Sequence, residues 1–398
     1  KDKEKVEEMF NKLEVYYLAN KSENMYFALL GDCAQSDKEQ EDYDQEVIKS
    51  GLELVKQLND KYKNEGLNKF HFIYRKRVWN DKEECFIERK RGMLNQFNEY
   101  ILKNIENPFL VNTLEEQKEL VPNIKYIITL DSDTALVLNT GLELIGAMAH
   151  ILNMPKLNEE RNVVIDGYGI MQPRVGIDLA SSQKTLFTKL YAGLGGTDSY
   201  TNAISDVYQD NFDEGIFAGK GIYDVKVFSD VLNGNIPENT VLSHDLLEGC
   251  FLRCGLVTDV MLMDGYPANY KSFKTRLHRW TRGDVQILGW LKNKSLNLIS
   301  RYKILDNLIR AIFPVMAVIS LIYFICLSIK YNTNLWPIFV LLFASVIAGE
   351  IMQIINRIIF KKDDESSQKT FNRQIGMTFA TWIRAILEIL LLPDKAYT

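Results

Sequence analysis

The sequence predicts an α/β fold: a mostly parallel sheet covered by helices on both faces, followed by membrane-associated helices. Three observations carry this. Short apolar runs at Met25–Leu30, Phe70–Tyr74 and Tyr126–Leu130 alternate with helical patterns, the signature of strand–helix–strand units. These runs tend to end in Asp or Gly, as at Gly31-Asp32 and Asp131. Further on, the chain carries no charge from Ala311 to Ile329, a length that suits a membrane span. At 398 residues it exceeds a single core, so a globular domain of about 250 to 300 residues plus an appendage is expected.

Taken in order, residues 1–23 form a leading helix and linker. Val6, Met9, Phe10, Leu13, Tyr16 and Tyr17 recur at helical spacing and mark one buried stripe. Residues 24–303 form the main domain, in which the strand at Met25–Leu30 is followed by a helix from Gln45 to Lys63 and by the strands at Phe70 and Tyr126. Ligands of such sheets bind beyond the carboxyl ends of the strands. Asp32 and Asp131 to Asp133 stand there, although a single strand-end aspartate more often caps a helix or makes a turn.

Residues 304–398 form membrane segments, with spans at 311–330 and 335–356. Lys292, Lys294, Arg301, Lys303 and Arg310 precede the first span, and Arg357, Lys361 and Lys362 follow the second. The link from Lys330 to Asn334 is short and nearly uncharged, so the positive-inside rule places the large domain in the cytosol of a multi-pass inner-membrane protein. The third hydrophobic segment, 376–392, carries Arg384 and Glu388 one turn apart. It is either a span whose charges face a polar cavity or an amphipathic helix lying in the interface.

A formal net charge of -5 argues against a general nucleic-acid binder, so any anionic ligand must meet a local basic cluster. Cys33, Cys85, Cys250, Cys254 and Cys326 show no paired CxxC spacing and read as reduced packing residues of a cytosol-facing domain. The chain begins at Lys1 without a signal-peptide pattern and stops just after Leu392-Pro393, as an excised piece of a longer protein would.

Four clusters carry chemistry. Asp131-Ser132-Asp133 after an apolar strand offers hard oxygen ligands for Mg²⁺ or Mn²⁺, which take their remaining ligands from water and substrate phosphates. Asp245, in Ser243-His244-Asp245-Leu246-Leu247-Glu248, either caps a helix or projects into a cleft as a general base. Arg276, His278, Arg279, Trp280 and Arg282 supply cationic and stacking surface for a pyrophosphate and a sugar ring, or else form a basic helix face near a membrane. Glu88-Arg89-Lys90-Arg91-Gly92 offers positive charge for nucleotide phosphates, with an exposed charge run as the equal alternative. Between them, Gly215 to Gly221 is a glycine-flexed turn bearing Lys220. It lacks the spacing of a P-loop but lets backbone approach a ligand.

The order Asp32, Asp131-x-Asp133, Asp245, then Arg276-x-x-Arg279-Trp280 ahead of apolar segments resembles the processive family-two-like glycosyltransferases, such as cellulose and hyaluronan synthases. Those carry D, DxD, TED and QxxRW in that order. Here Ser243-His244-Asp245 stands in for TED, and Arg276 stands where Gln would be. A closer resemblance is to the glycosyltransferase region of cyclic β-1,2-glucan synthases. It rests on Tyr168–Arg174, Ser205–Asp210, Gly219–Asp224, Pro237–Asp245 and His278–Asp284, and it covers roughly Asn24 to the C-terminus.

The resemblance implies a GT-A-like, Rossmann-type domain that makes β-1,2-glucan from UDP-glucose with inversion. It further implies Mg²⁺ or Mn²⁺ as cofactor, a growing glucan and a lipid bilayer as partners, and a glycoside-phosphorylase-like domain later in the full-length protein. By the same resemblance Asp245 is the base, Asp133 the main metal ligand and Asp131 a metal and nucleotide residue. Asp32, Lys90, Arg91, Arg276, Arg279 and Trp280 bind the nucleotide sugar, and His244, Gly219, Lys220 and Trp280 the acceptor. Because these motifs read metal and diphosphate better than linkage, the alternatives are a synthase of another β-linked polysaccharide and, outside enzymes, a membrane scaffold or transporter.

Overall fold

The structure is a computed structural model. It describes residues 3–63, 66–80, 85–87, 90–192, 206–237, 240–241, 243–332, 334–341, 344, 348 and 382–398. From the N-terminus come α1 (Lys3–Ala19), β1 (Phe27–Asp32), α2 (Asp42–Lys61), β2 (Phe70–Arg75), a short hairpin of β3 (Val78–Asn80) and β4 (Cys85–Ile87), α3 (Lys90–Ile101) and β5 (Phe109–Asn112). Next are β6 (Tyr126–Thr129), β7 (Thr134–Ala135), α4 (Thr140–Ala149), a second hairpin of β8 (Lys156–Asn158) and β9 (Val163–Asp166), and β10 (Ile170–Ile177). The helices α5 (Leu179–Ser182), α6 (Leu186–Tyr191) and α7 (Val207–Phe212) lead to β11 (Gly221–Asp224), α8 (Val225–Leu232), α9 (Asp245–Leu252) and β12 (Cys254–Asp264). Two long helices, α10 (Tyr270–Gln286) and α11 (Leu298–Tyr331), follow. The leading helix and the strands expected at Met25, Phe70 and Tyr126 are thus all present within a few residues.

The chain divides into two compact units. The first comprises residues 1–177, 195–265 and 289–301 and holds every strand among the described residues. Its larger sheet has the order β6-β11-β10-β12-β7, and its smaller one β1-β2-β5. β1 runs parallel to β2 from Phe27↔Phe70 to Asp32↔Arg75, and β10 runs parallel to β12. The remaining ladders described are antiparallel. The expected mostly parallel sheet is therefore corrected to a mixed one. A strand buried on both faces, as β2 is along its whole length, shows no inside–outside alternation whichever way its neighbour points, so the pattern carries no direction.

The stripe read from α1 is buried as its spacing requires: Val6, Phe10, Tyr16 and Tyr17 join Phe27, Phe70, Phe72 and Val47 in one core. Phe10 lies 5.9 Å from Phe72 and Tyr17 lies 5.1 Å from Phe70, ring pairs of the kind that add about 0.5–1.5 kcal/mol beyond their buried area. Gly51, in the middle of α2, is where that helix meets the sheet. A Cβ there would stand 2.4 Å from the Phe72 ring, so glycine's lower helix propensity is the condition of the contact. A second core gathers Leu144 and Met148 of α4 with Met171, Ile222 and Val260 of the larger sheet.

The second unit comprises residues 178–194, 266–288 and 302–398. Phe187 stacks on Tyr191 and packs against Tyr266, Tyr270 and Phe273. Asp394 accepts a hydrogen bond from Tyr270 at 2.8 Å and pairs with Lys274 at 2.5 Å. α11 contains the span expected at 311–330 and is, among the described residues, one helix long and apolar enough to cross a membrane. Phe313, Ile319, Ile322 and Ile329 are exposed along it, as lipid-facing residues would be. The expected span at 335–356 falls largely outside the described residues, as does the first part of segment 376–392. In the remainder of that segment Glu388 pairs with Lys395. Cys33, Cys250 and Cys254 are buried thiols, in line with a packing role, whereas Cys326 of α11 is exposed.

Candidate active site

The site is built where β6 ends. Asp131 follows the strand and opens a tight turn in which the Thr134 amide donates to the Asp131 carbonyl at 3.0 Å. The leading helix buttresses this turn: Tyr16 donates its hydroxyl to the Thr134 carbonyl at 2.7 Å, and Lys12 donates to the Ser132 carbonyl at 3.0 Å. Helix α1 is therefore part of the site's support, a role the sequence pattern did not disclose.

Sheet register delivers the next residue. β11 pairs with β6 through Gly221↔Thr129, so Lys220, just ahead of Gly221, arrives beside Asp131. Its Nζ lies 3.4 Å from Asp131 Oδ2 and also donates to Asp264 Oδ2. Asp264 ends β12, pairs with Thr134 across the ladder, and accepts the Thr134 hydroxyl on Oδ1 at 2.5 Å. From the other side Lys90, the first residue of α3, donates to Asp131 Oδ1 at 2.5 Å and to the Gly219 carbonyl at 3.1 Å. Burial alone would push the Asp131 carboxyl up, but Lys90 and Lys220 together outweigh it and hold Asp131 below its ordinary value. Burial likewise opposes the Lys90 charge, and Asp131 and Asp245 more than restore it.

Gly219 is the hinge between this network and Asp245. Its φ of +85° lies in the left-handed region, and a Cβ on it would stand 2.9 Å from both carboxylate oxygens of Asp245. Gln172, fully buried, fixes the same loop by accepting the Ala218 amide at 2.8 Å. Of the two readings of Asp245, the cap is not what the structure shows. The N-cap position of α9 belongs to His244, and Asp245 is the first helical residue, its side chain about one-third exposed at 34%. Behind it lie His244, Glu248 and Arg91, with His244 Nε2 3.5 Å from Glu248 Oε1 and Arg91 Nε 3.7 Å from the same oxygen.

Asp32 stands apart from this network, at the end of β1. Its Oδ2 is 3.5 Å from Nη1 of Arg75, its register partner on β2, and Arg75 donates Nε–H to Gln96 at 2.7 Å. Arg276, Arg279 and Trp280 belong to α10 in the second unit, where the Arg276 guanidinium lies 5.8 Å from the Trp280 ring centroid. Of the basic run before α3, Glu88 and Arg89 lie outside the described residues. The residues brought together in the first unit are thus Lys90, Arg91, Asp131, Gly219, Lys220, His244 and Asp245. Sequence reasoning missed Asp264 and Arg75. Asp264 carried the signal that selected Asp32 and Asp131, since it follows the apolar run Val260 to Met263, whereas Arg75 is legible only once β1 and β2 are paired.

The donor chemistry suits a hard divalent cation at Asp133, an exposed carboxylate at the strand end. Asp131, engaged by two lysines, is better placed beside the phosphates that such a cation would accompany. A mixed α/β unit with carboxylates and lysines gathered at its strand ends has its polar groups where open α/β sheets hold ligands. Comparison with known proteins narrows this: over 316 residues, 78% of its length, the chain is 39% identical to the cyclic β-(1,2)-glucan synthase NdvB of Rhizobium meliloti (strain 1021). The resemblance read from the motifs is thereby shown, and it is to a cyclic β-glucan synthase region, since the chain spans 11% of that relative's length. No family model matches the chain.

Proposed function

We propose that the chain is the catalytic region of a membrane-bound glycosyltransferase that polymerises glucose from UDP-glucose into β-1,2-glucan with inversion. The observation that carries this reading is the double contact of Lys90, which reaches Asp131 on one side and the Gly219 carbonyl beneath Asp245 on the other. The proposed diphosphate-binding edge at Asp131 and the partly exposed Asp245 carboxylate are thereby tied to one lysine. The similarity to a cyclic β-(1,2)-glucan synthase supports the polymer and the linkage.

In this reading the acceptor's O2 gives its proton to the Asp245 carboxylate and attacks the anomeric carbon. The bond from that carbon to the diphosphate breaks, its electron pair leaves with UDP, and an α-linked donor yields a β-linked product. Lys90 and Lys220 meet charge developing on the departing diphosphate, and Asp32 serves the nucleoside. The motif resemblance assigns nucleotide-sugar binding to Arg276, Arg279 and Trp280 of α10, and acceptor binding to Trp280 as well. Mg²⁺ or Mn²⁺ held by Asp133, with Asp131 beside it, would neutralise the leaving group when bound. The mixed sheet with strand-end carboxylates supports a GT-A-like assignment. The exposed apolar face of α11 supports anchoring in a bilayer, and the basic residues flanking the expected spans support a cytosolic catalytic unit.

The test is Asp245→Asn in full-length protein in membranes. Polymer formation from UDP-glucose should fall by about 10²- to 10⁴-fold. Undiminished synthesis would remove Asp245 from the role of base.

A further inference from the structure

Glu248 is an acidic residue of α9 that the transfer step leaves unused. It lies one turn beyond Asp245 on the same face of the helix and is 3% exposed. Its Oε1 is 3.5 Å from His244 Nε2 and 3.7 Å from Arg91 Nε, and it has no hydrogen-bond partner among the described residues. His244 Nε2 in turn is 3.8 Å from Asp245 Oδ1, so the imidazole stands between the two carboxyls. Possible ligand atoms of His244, Asp245 and Glu248 converge within 4.8 Å. Arg91 and Lys90 already supply two cations there, however, and repel a third. Two carboxyls this close, one buried, are relieved more simply by a proton.

We propose that Glu248 is a positioning residue for the transfer step: with His244 and Arg91 it forms a buried frame that keeps Asp245 the single anion of the group and fixes its carboxylate over Gly219. The proposal rests on Asp245 being the base. Burial first, and the charge of Asp245 second, push the Glu248 carboxyl up to about 8 against the opposing pull of Arg91 and Lys90. Burial pushes His244 down to about 4, so at neutral pH both groups are uncharged.

Among the described residues, the charges acting on Glu248 are those of Asp245, Arg91 and Lys90. Tyr223 on β11, itself held above its usual range by burial, faces Glu248 from the sheet. Elsewhere on the elements packed against α9, Lys226 and Asp230 of α8 and Asp259 of β12 are exposed. Asp166 of β9 pairs with Lys156 at 2.7 Å, and Asp264 is held by Lys220.

The sign follows. Below about pH 8 Glu248 is protonated. As the pH rises through that value a second negative charge appears beside Asp245, opposes an anionic donor and draws Arg91 and Lys90 toward itself. In membranes containing the full-length protein, kcat/KM for UDP-glucose should therefore fall about tenfold per pH unit above about 8. Glu248→Gln, neutral at every pH, should flatten that limb. Glu248→Ala should lose about tenfold or more at neutral pH, with Gln recovering most of it. An alkaline limb in Glu248→Gln identical to wild type, or equal losses in Ala and Gln, would overturn the proposal. Asp245→Asn in the same assay separates the two claims. If it still polymerises, the base reading fails; if it is inactive while the Glu248→Gln profile is unchanged, only the role of Glu248 fails.

Discussion

The first unit holds two carboxylate pairs, each with one buried member, that answer burial in opposite ways. Around Asp131 and Asp264 two lysines sit within ion-pair distance of two aspartates, and Asp131 is held ionised below its ordinary range. Around Asp245 and Glu248 the nearest guanidinium is 3.7 Å away and a neutral imidazole stands between the acids, so the buried one retains its proton to about pH 8. Matched charge makes a fixed scaffold, suited to receiving phosphates and a cation. Unmatched charge leaves a proton free to move, which a base needs and a scaffold does not.

The comparison breaks first at Lys220. Lys220→Met would leave Asp264, 1% exposed, as a buried carboxylate without its cation, at a cost of about 3–5 kcal/mol. A large drop in Tm is expected, and adding Asp264→Asn should recover most of it. A single variant as stable as wild type would show that the scaffold is not charge-matched. The next largest effect is at Gly219, which joins the two groups. Gly219→Ala forces a Cβ into a left-handed backbone and against the Asp245 oxygens, so kcat/KM should fall on the order of tenfold, with a fall in Tm reflecting about 1–3 kcal/mol of backbone strain. If stability falls and kcat/KM does not, Gly219 shapes the loop without setting the base. The Glu248→Gln pH profile is the finest test, because it moves one proton and leaves shape nearly unchanged.

Much of this was legible in the chain. The stripe Val6 to Tyr17, the strands at Phe27, Phe70 and Tyr126 and the strand-end Asp131 follow from local pattern, and motif order singled out Asp245 and Lys220, which the fold brings near Asp131 through Gly219 and Lys90. What was hidden depends on pairing. Direction leaves no trace in a doubly buried strand, so the mixed sheet could not be read. Lys220 was visible as a cation in a glycine turn and Asp264 as a strand-end aspartate, but that the two meet emerges only from the sheet order β11-β10-β12. Glu248 stands in the same short run as Asp245, yet its distinct behaviour comes from burial beneath Arg91, a residue of another helix.

The central claim is that this region joins glucose units from UDP-glucose through their O2 positions. It is met most directly by supplying radiolabelled UDP-glucose and a divalent cation to membranes bearing the full-length protein, then determining the linkage of the labelled polymer. The account predicts β-1,2-linked glucan from wild type and none from Asp245→Asn. A polymer of another linkage, or labelled glucan from the Asp245→Asn protein, would contradict it.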